Sequence, residues 1–217
     1  MNIRAVVFDC DGVILESTDI KTEAFRALFE ADQPDRIPEI LDYHVRHMGI
    51  SRHLKLRHIC TEILGETCTA RREARLAAEF SRLVFARVLQ CPIVPGTREF
   101  LRGARDRYRC FVASGTPHEE LELILRRRRL LGYFERTWGS PAKKPDVLRQ
   151  VLRRGPFRKG EVAFVGDAES DWRAAKESGV RFVRRVGSPA DWRLPPCRWQ
   201  IRDLRGLPAV IAAMERA

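Results

Sequence analysis

Asp9 and Asp11 stand two residues apart, directly after the apolar run Ala5-Val6-Val7-Phe8 and directly before Gly12. Two carboxylates of like charge in one short loop repel each other unless a cation neutralises them, and a hard divalent ion such as Mg²⁺ takes oxygen ligands of this kind. The pair also suits covalent phosphoryl transfer, in which one carboxylate attacks and the other carries protons. Asp and Gly are equally common in turns, so the loop alone also reads as a strand-to-helix connection.

Three further groups carry chemistry. Phe111-Val112-Ala113 runs into Ser114-Gly115-Thr116-Pro117, which brings a hydroxyl, a glycine and an expected helix N-terminus together, a combination able to hold a phosphate. The same residues also make an ordinary helix cap. Lys143 and Lys144, between a short strand and a helix, offer a cation for both a phosphate and a nucleophilic aspartate. Ala163-Phe164-Val165-Gly166-Asp167 repeats the opening pattern, with Asp171 four residues further on and so one turn into the next helix. Helix capping accounts for one of these aspartates better than for three.

These groups need a scaffold that brings distant segments to one place. Val6-Val7-Phe8 is apolar at every position, as in a parallel strand buried on both faces. Helices are expected at 20–31, 37–48, 51–64 and 69–89, with no strand between them. Cys91-Pro92-Ile93-Val94-Pro95-Gly96 then reads as a hinge. Beyond it, helices at 97–107, 118–131, 145–154 and 170–178 alternate with strands at 109–113, 136–138, 162–165 and 180–183, and 201–216 supplies a last strand edge and helix. The pattern predicts an α/β fold: a doubly wound parallel, Rossmann-like sheet formed by 1–16 and 92–217, with 17–91 as a small all-helical insertion. In such sheets ligands bind beyond the carboxyl ends of the strands, where all four motifs fall.

Asp9-Cys10-Asp11-Gly12-Val13, Ser114-Gly115-Thr116, Lys144, and Gly166-Asp167 with Asp171 resemble, in order and spacing, the four motifs of the haloacid dehalogenase (HAD) superfamily. The helical insertion resembles that family's C1-type cap, as in phosphoglycolate phosphatases and β-phosphoglucomutases. The resemblance implies roles. Asp9 is the nucleophile that forms an aspartyl-phosphate, and Asp11 is the general acid–base. The Asp9 carboxylate, the Asp11 backbone carbonyl and Asp167 hold Mg²⁺, with Asp171 in support. Ser114 and the Gly115 or Thr116 amide bind the transferring phosphoryl, and Lys144 offsets its charge, with Lys143 as the neighbouring alternative. Cys10 departs from the usual bulky aliphatic residue. An acid at position 11 argues against the dehalogenase and phosphonatase branches and leaves phosphoester chemistry.

The implied activity is a Mg²⁺-dependent phosphatase acting on a small phosphorylated metabolite. A phosphosugar mutase of the same fold is the enzymatic alternative, and a basic nucleic-acid-binding or regulatory protein without turnover the non-enzymatic one. Gly49-Ile50-Ser51-Arg52 is the candidate specificity loop, where Arg52 could grip a second anionic group, carboxylate or phosphate. Arg52 also reads as an exposed residue, the usual place for arginine.

The chain has 217 residues and a net charge of +11. Basic chains attract phosphates, whether on metabolites, nucleic acids or membranes. Only six of the 40 basic residues are lysine, a skew that genome composition explains as readily as binding does. Arg126-Arg127-Arg128-Arg129 is the densest cluster, but it ends a helical pattern, where cations are favourable, and no aromatic residues interleave it, so nucleic acid is not the expected partner. The six cysteines form no Cys-x-x-Cys pair and read as reduced thiols. The chain opens on a strand, with no signal-like core and no run of membrane-spanning length, so a cytoplasmic protein is expected. Nothing in the sequence fixes its oligomeric state.

Overall fold

A computed structural model of the chain describes residues 2–187 and 195–217. Six parallel strands, β1 (Ala5–Phe8), β2 (Arg109–Pro117), β3 (Arg136–Ser140), β4 (Val162–Gly166), β5 (Arg181–Arg185) and β6 (Gln200–Ile201), form one sheet in the order β3-β2-β1-β4-β5-β6. This is the doubly wound order, and its direction of winding reverses at β1. All four residues of β1 are buried, because both faces of the strand are covered.

The sheet divides two apolar cores by strict alternation of its side chains. Val6, Phe8, Val112 and Val165 face one core, and Ala5, Val7, Phe111 and Phe164 face the other. The second core is closed by α7 (Lys144–Arg154) and α8 (Glu169–Ser178), through Val147, Leu148, Val151, Ala174 and Ala175. The first is covered by α5 (Thr97–Ala104), α6 (His118–Arg127) and α9 (Leu207–Arg216).

Between β1 and α5 every regular element of appreciable length is helical: α1 (Thr18–Phe29), α2 (Ile37–Arg46), α3 (Arg52–His58) and α4 (Ala70–Gln90). α1 packs against α2 and α4, and Phe25 of α1 meets Phe80 of α4 with ring centroids 4.6 Å apart. The sequence predicts one helix over 51–64, but the α-helix stops at His58 and Ile59–Ile63 form a wider turn with five-residue hydrogen bonding. The chain enters and leaves this helical segment side by side. Glu16 N donates to Pro92 O at 3.0 Å, and Val94 N donates to Ile14 O at 3.0 Å.

Other expectations shift at their ends. β2 continues through Ser114-Gly115-Thr116-Pro117, so these residues are strand rather than turn, and α6 begins just after them. α6 ends at Arg127, with Arg126 and Arg127 exposed in its last turn, and Arg128 donates to Leu89 O at 2.6 Å, closing the C-terminus of α4. The arginine run is therefore a helix end plus a capping side chain. The cysteines are free thiols, four of them buried. Among the described residues no helix is long and apolar enough to cross a membrane.

Phe164 is fully buried in β4, among Val7, Val147 and Phe111 of the second core. Phe164→Ala should lower the unfolding free energy by about 3–5 kcal/mol. The loss should appear as a lower urea midpoint with an unchanged slope.

Candidate active site

The first turn after β1 carries Asp9, the first turn after β4 carries Asp167, and α8 carries Asp171 in its first turn. One carboxylate oxygen of each lies within 4.8 Å of the others, and all three residues are buried. Lys144, the first residue of α7, lies between two of them. Its Nζ donates to Asp9 Oδ2 at 2.7 Å and pairs with Asp171 Oδ1 at 2.5 Å. Burial works against the Lys144 charge, but Asp171 and Asp9 outweigh it and hold the ammonium above the ordinary lysine pKa. Asp9 moves the other way: burial raises its pKa, and Asp171 and Asp11 add to the rise while Lys144 opposes it. Asp9 Oδ1 also accepts from the Cys10 amide at 2.6 Å.

A divalent cation fits this cluster. Three buried carboxylates lie together with Lys144 between two of them, the oxygen-only donor set suits a hard ion, and such an ion would offset the burial that raises Asp9.

Asp11 faces a different environment. Ser17 Oγ donates to its Oδ1 at 2.6 Å, Thr116 Oγ1 donates to its Oδ2 at 3.0 Å, and Lys21 Nζ pairs with the same Oδ2. Lys21 also donates to Thr116 Oγ1 at 2.8 Å. Burial alone would raise Asp11, but the Lys21 charge and these hydrogen bonds outweigh it and hold the carboxyl at about 2. Two aspartates separated by one residue thus lie in opposite electrostatic surroundings, which raise Asp9 and lower Asp11. Ser114 is buried, and its hydroxyl accepts from the Thr116 amide at 3.1 Å.

The helical segment closes the site from above. Met48, Gly49 and Ile50, with Arg52, Lys55, His44, Phe25 and Phe80, complete a cavity of about 50 Å³ whose floor includes Asp9, Asp11, Thr116 and Asp167. Ser170 Oγ donates to Met48 O at 2.9 Å, and Ser140 Oγ donates to Ser51 Oγ at 2.7 Å. Two glycines permit this approach. Gly49 has φ +79°, and a Cβ there would lie 2.8 Å from Lys144 Nζ. A Cβ on Gly115 would lie 2.8 Å from the carbonyl oxygens of both Gly49 and Ile50.

Of the residues singled out from sequence, Asp9, Asp11, Ser114, Gly115, Thr116, Lys144, Asp167 and Asp171 gather at the strand ends. Lys143 is exposed, whereas Lys144 is buried against Asp9 and Asp171. Arg52 is buried and lines the cavity rather than lying exposed, but its guanidinium is already engaged. Nη2 meets Glu120 Oε1 of α6 at 2.6 Å, and Nη1 donates to Ser81 Oγ at 2.5 Å. Lys21, Lys55 and Glu120 are functional candidates the motifs do not reveal. The available signal was lysine scarcity: of six lysines in a chain with 40 basic residues, Lys21 and Lys55 line the cavity and Lys144 sits beneath it.

The family model of the haloacid dehalogenase-like hydrolases matches residues 3–179. A phosphorylated carbohydrates phosphatase of Thermotoga maritima is 29% identical over 190 residues, covering 85% of each chain. A phosphoglycolate phosphatase of Pseudomonas putida is 28% identical, covering 94% of this chain and 78% of its own length. Among solved structures, a hydrolase from Pseudomonas syringae superposes with a TM-score of 0.76 at 20% identity, over 94% of this chain and 96% of its own. A Bacillus subtilis HAD-hydrolase, solved bound to magnesium and described as revealing interdomain movement, gives 0.72 at 16% identity over 98% and 100%.

Because the Gly115 Cα hydrogen faces the backbone of the 49–50 loop, Gly115→Ala should displace that loop and leave the sheet intact. Amide exchange of residues 48–51 should speed up, with an unchanged far-ultraviolet spectrum. Unchanged exchange there would mean that the loop does not rest on Gly115.

Proposed function

The chain belongs to the haloacid dehalogenase-like hydrolases, and we propose that it is a phosphatase that cleaves a small phosphorylated metabolite through an aspartyl-phosphate on Asp9. The observation that carries this reading is the gathering of Asp9, Lys144 and a buried carboxylate cluster at the strand ends, with Asp11 beside them. Asp9 sits on Lys144 within a carboxylate cluster fit for a cation, and Asp11 is held ionised among Lys21, Ser17 and Thr116.

In the first step an Asp9 carboxylate oxygen bonds to phosphorus while the bond from phosphorus to the leaving oxygen breaks. Asp11 gives that oxygen its proton. In the second step a water oxygen bonds to phosphorus, Asp11 takes the water's proton, and the bond to Asp9 breaks, releasing inorganic phosphate and restoring the carboxylate. Asp11 must first gain the proton it gives, and Lys21 governs when it can. An arriving phosphoryl dianion competes for the Lys21 ammonium, and as Lys21 turns towards it Asp11 loses its strongest stabilising partner and its proton affinity rises.

Asp9, Asp167 and the backbone carbonyl of Asp11 would hold Mg²⁺, with Asp171 steadying Lys144 beside them. When bound, the cation offsets the charge of the phosphoryl oxygens and keeps Asp9 ionised. Ser114 and the amides of Gly115 or Thr116 receive the phosphoryl oxygens, and Lys144 balances the charge from below.

Residues 17–91 act as the cap over a core formed by 1–16 and 92–217. The paired connections at Glu16–Pro92 and Ile14–Val94 are the hinge on which it opens, which a cavity of about 50 Å³ requires for substrate entry. Relatives named for phosphoglycolate and for phosphorylated carbohydrates support small phosphate esters as the substrate class.

The test is a screen of short phosphomonoesters for release of inorganic phosphate with and without Mg²⁺. Turnover should need the ion, fall below detection after chelation, and return when Mg²⁺ is restored. Asp9→Asn should lower kcat by at least about a thousandfold with its fold intact, as removal of a covalent nucleophile does. Full turnover by that variant would rule out the covalent route, and isomerised sugar phosphate without free phosphate would mark a mutase.

A further inference from the structure

Charge balance around the cavity singles out Lys55. Lys144 is matched by Asp9 and Asp171, Lys21 by Asp11, and Arg52 by Glu120. Lys55 is as buried as these, at 4% exposure, yet among the described residues it has no carboxylate within ion-pairing distance. Its Nζ donates to His44 Nδ1 at 3.0 Å and approaches His44 O at 3.3 Å, with the Phe25 ring 5.6 Å away. A buried ammonium without a counter-ion is costly, and proteins keep one chiefly where function needs it. Burial, reinforced by the nearby Lys21 charge, lowers the Lys55 pKa to about 7.

The surroundings hold Lys55 in place. Burial and the charges of Lys55 and Lys21 keep His44 well below the ordinary histidine pKa, so its ring is neutral and can accept from Lys55 at Nδ1. The other nitrogen then carries the proton and donates to Thr22 Oγ1, 3.2 Å away, whose hydroxyl donates in turn to Thr18 O at 3.2 Å. This run of donors fixes the ring, and the ring fixes the ammonium at the cavity wall.

The geometry points to Lys55, oriented by His44, as the specificity-determining cation of the site: it receives a second anionic group, a carboxylate or another phosphoryl, carried by the leaving part of the substrate. The inference rests on the phosphatase reading and extends it to the substrate's other end. Arg52, the sequence-based candidate for this task, already has its counter-ion in Glu120, whereas Lys55 gains one only when the substrate arrives. The cavity volume of about 50 Å³ favours a leaving group of few atoms, with its second anion close to the ester oxygen.

The experiment compares the phosphate ester of a short 2-hydroxy acid, its neutral amide, and an ester of similar length bearing a second phosphoryl. In the native enzyme kcat/KM for the acid should exceed that for the amide at least tenfold. The ratio should collapse in Lys55→Met and recover in part in Lys55→Arg. In the Asp9→Asn background, calorimetry should give tighter binding of the acid than of the amide, and adding Lys55→Met should erase the difference. The carboxylate and bisphosphate arms show which anion is preferred. Equal treatment of acid, amide and bisphosphate by the native enzyme, or a ratio unmoved in Lys55→Met, would overturn the assignment. If no ester is turned over, the phosphatase reading fails, and calorimetry still decides whether Lys55 senses the second charge.

Discussion

The Lys144 ammonium, buried between Asp9 and Asp171, is the constraint around which the site is organised. A carboxylate at the end of a strand buried on both faces is cut off from water, and burying it without a partner would be prohibitive. Lys144 makes that depth possible, and it does so from the first turn of a helix on the far side of the sheet from α5, α6 and α9. The reversal of winding at β1 brings β4 alongside it, so that Asp9, Asp167 and Asp171 share one crevice. Four charged residues from three strand–helix junctions are thereby locked to one another.

A second layer of charge matching lies above the first. Lys21 with Asp11, and Arg52 with Glu120, join the helical segment to the sheet at two places, and the Arg52 pair crosses from α3 to α6. The Arg52 pair is nearly buried and the Lys21 pair partly so, and parting either exposes charges that water must then hydrate. These two contacts, unlike the apolar packing beside them, are ones that water or an anionic ligand can replace. An apolar seam of the same area would not respond to charge in this way.

Much of this arrangement is legible in the sequence, because the motifs are local. An apolar strand that ends in Asp-x-Asp-Gly carries its position within it, and Gly166-Asp167 repeats the signal. Alternation of strand and helix then orders the sheet. Lys21, Lys55 and Glu120 escape such reading because their partners lie on other elements: Lys21 meets Thr116 on β2, and Glu120 meets Arg52 on a helix 68 residues earlier. The extension of β2 through Pro117 is hidden for a related reason, since Ser-Gly-Thr-Pro has turn composition and Pro117 pairs again with β3 beyond a break in register after Ala113. The loop that carries Arg52 says nothing of Glu120 and Ser81, which engage its guanidinium from α6 and α4. Ser188 to Leu194 lie outside the described residues, and β6, a 3-10 turn at Leu204–Gly206 and α9 follow them.

The paired connections at Glu16–Pro92 and Ile14–Val94 also bear on how the chain finds this fold. β1 must pair with β2 although Ala5 lies opposite Arg109, so forming that pairing from an open chain closes a very long loop. A helical segment able to form from local contacts draws its own ends together, and zipping residues 14–16 to 92–94 leaves only short stretches between the zip and the two strands. Each extra length of loop then adds little entropy cost. These paired connections would act as the clasp that brings the halves of the sheet within reach of each other.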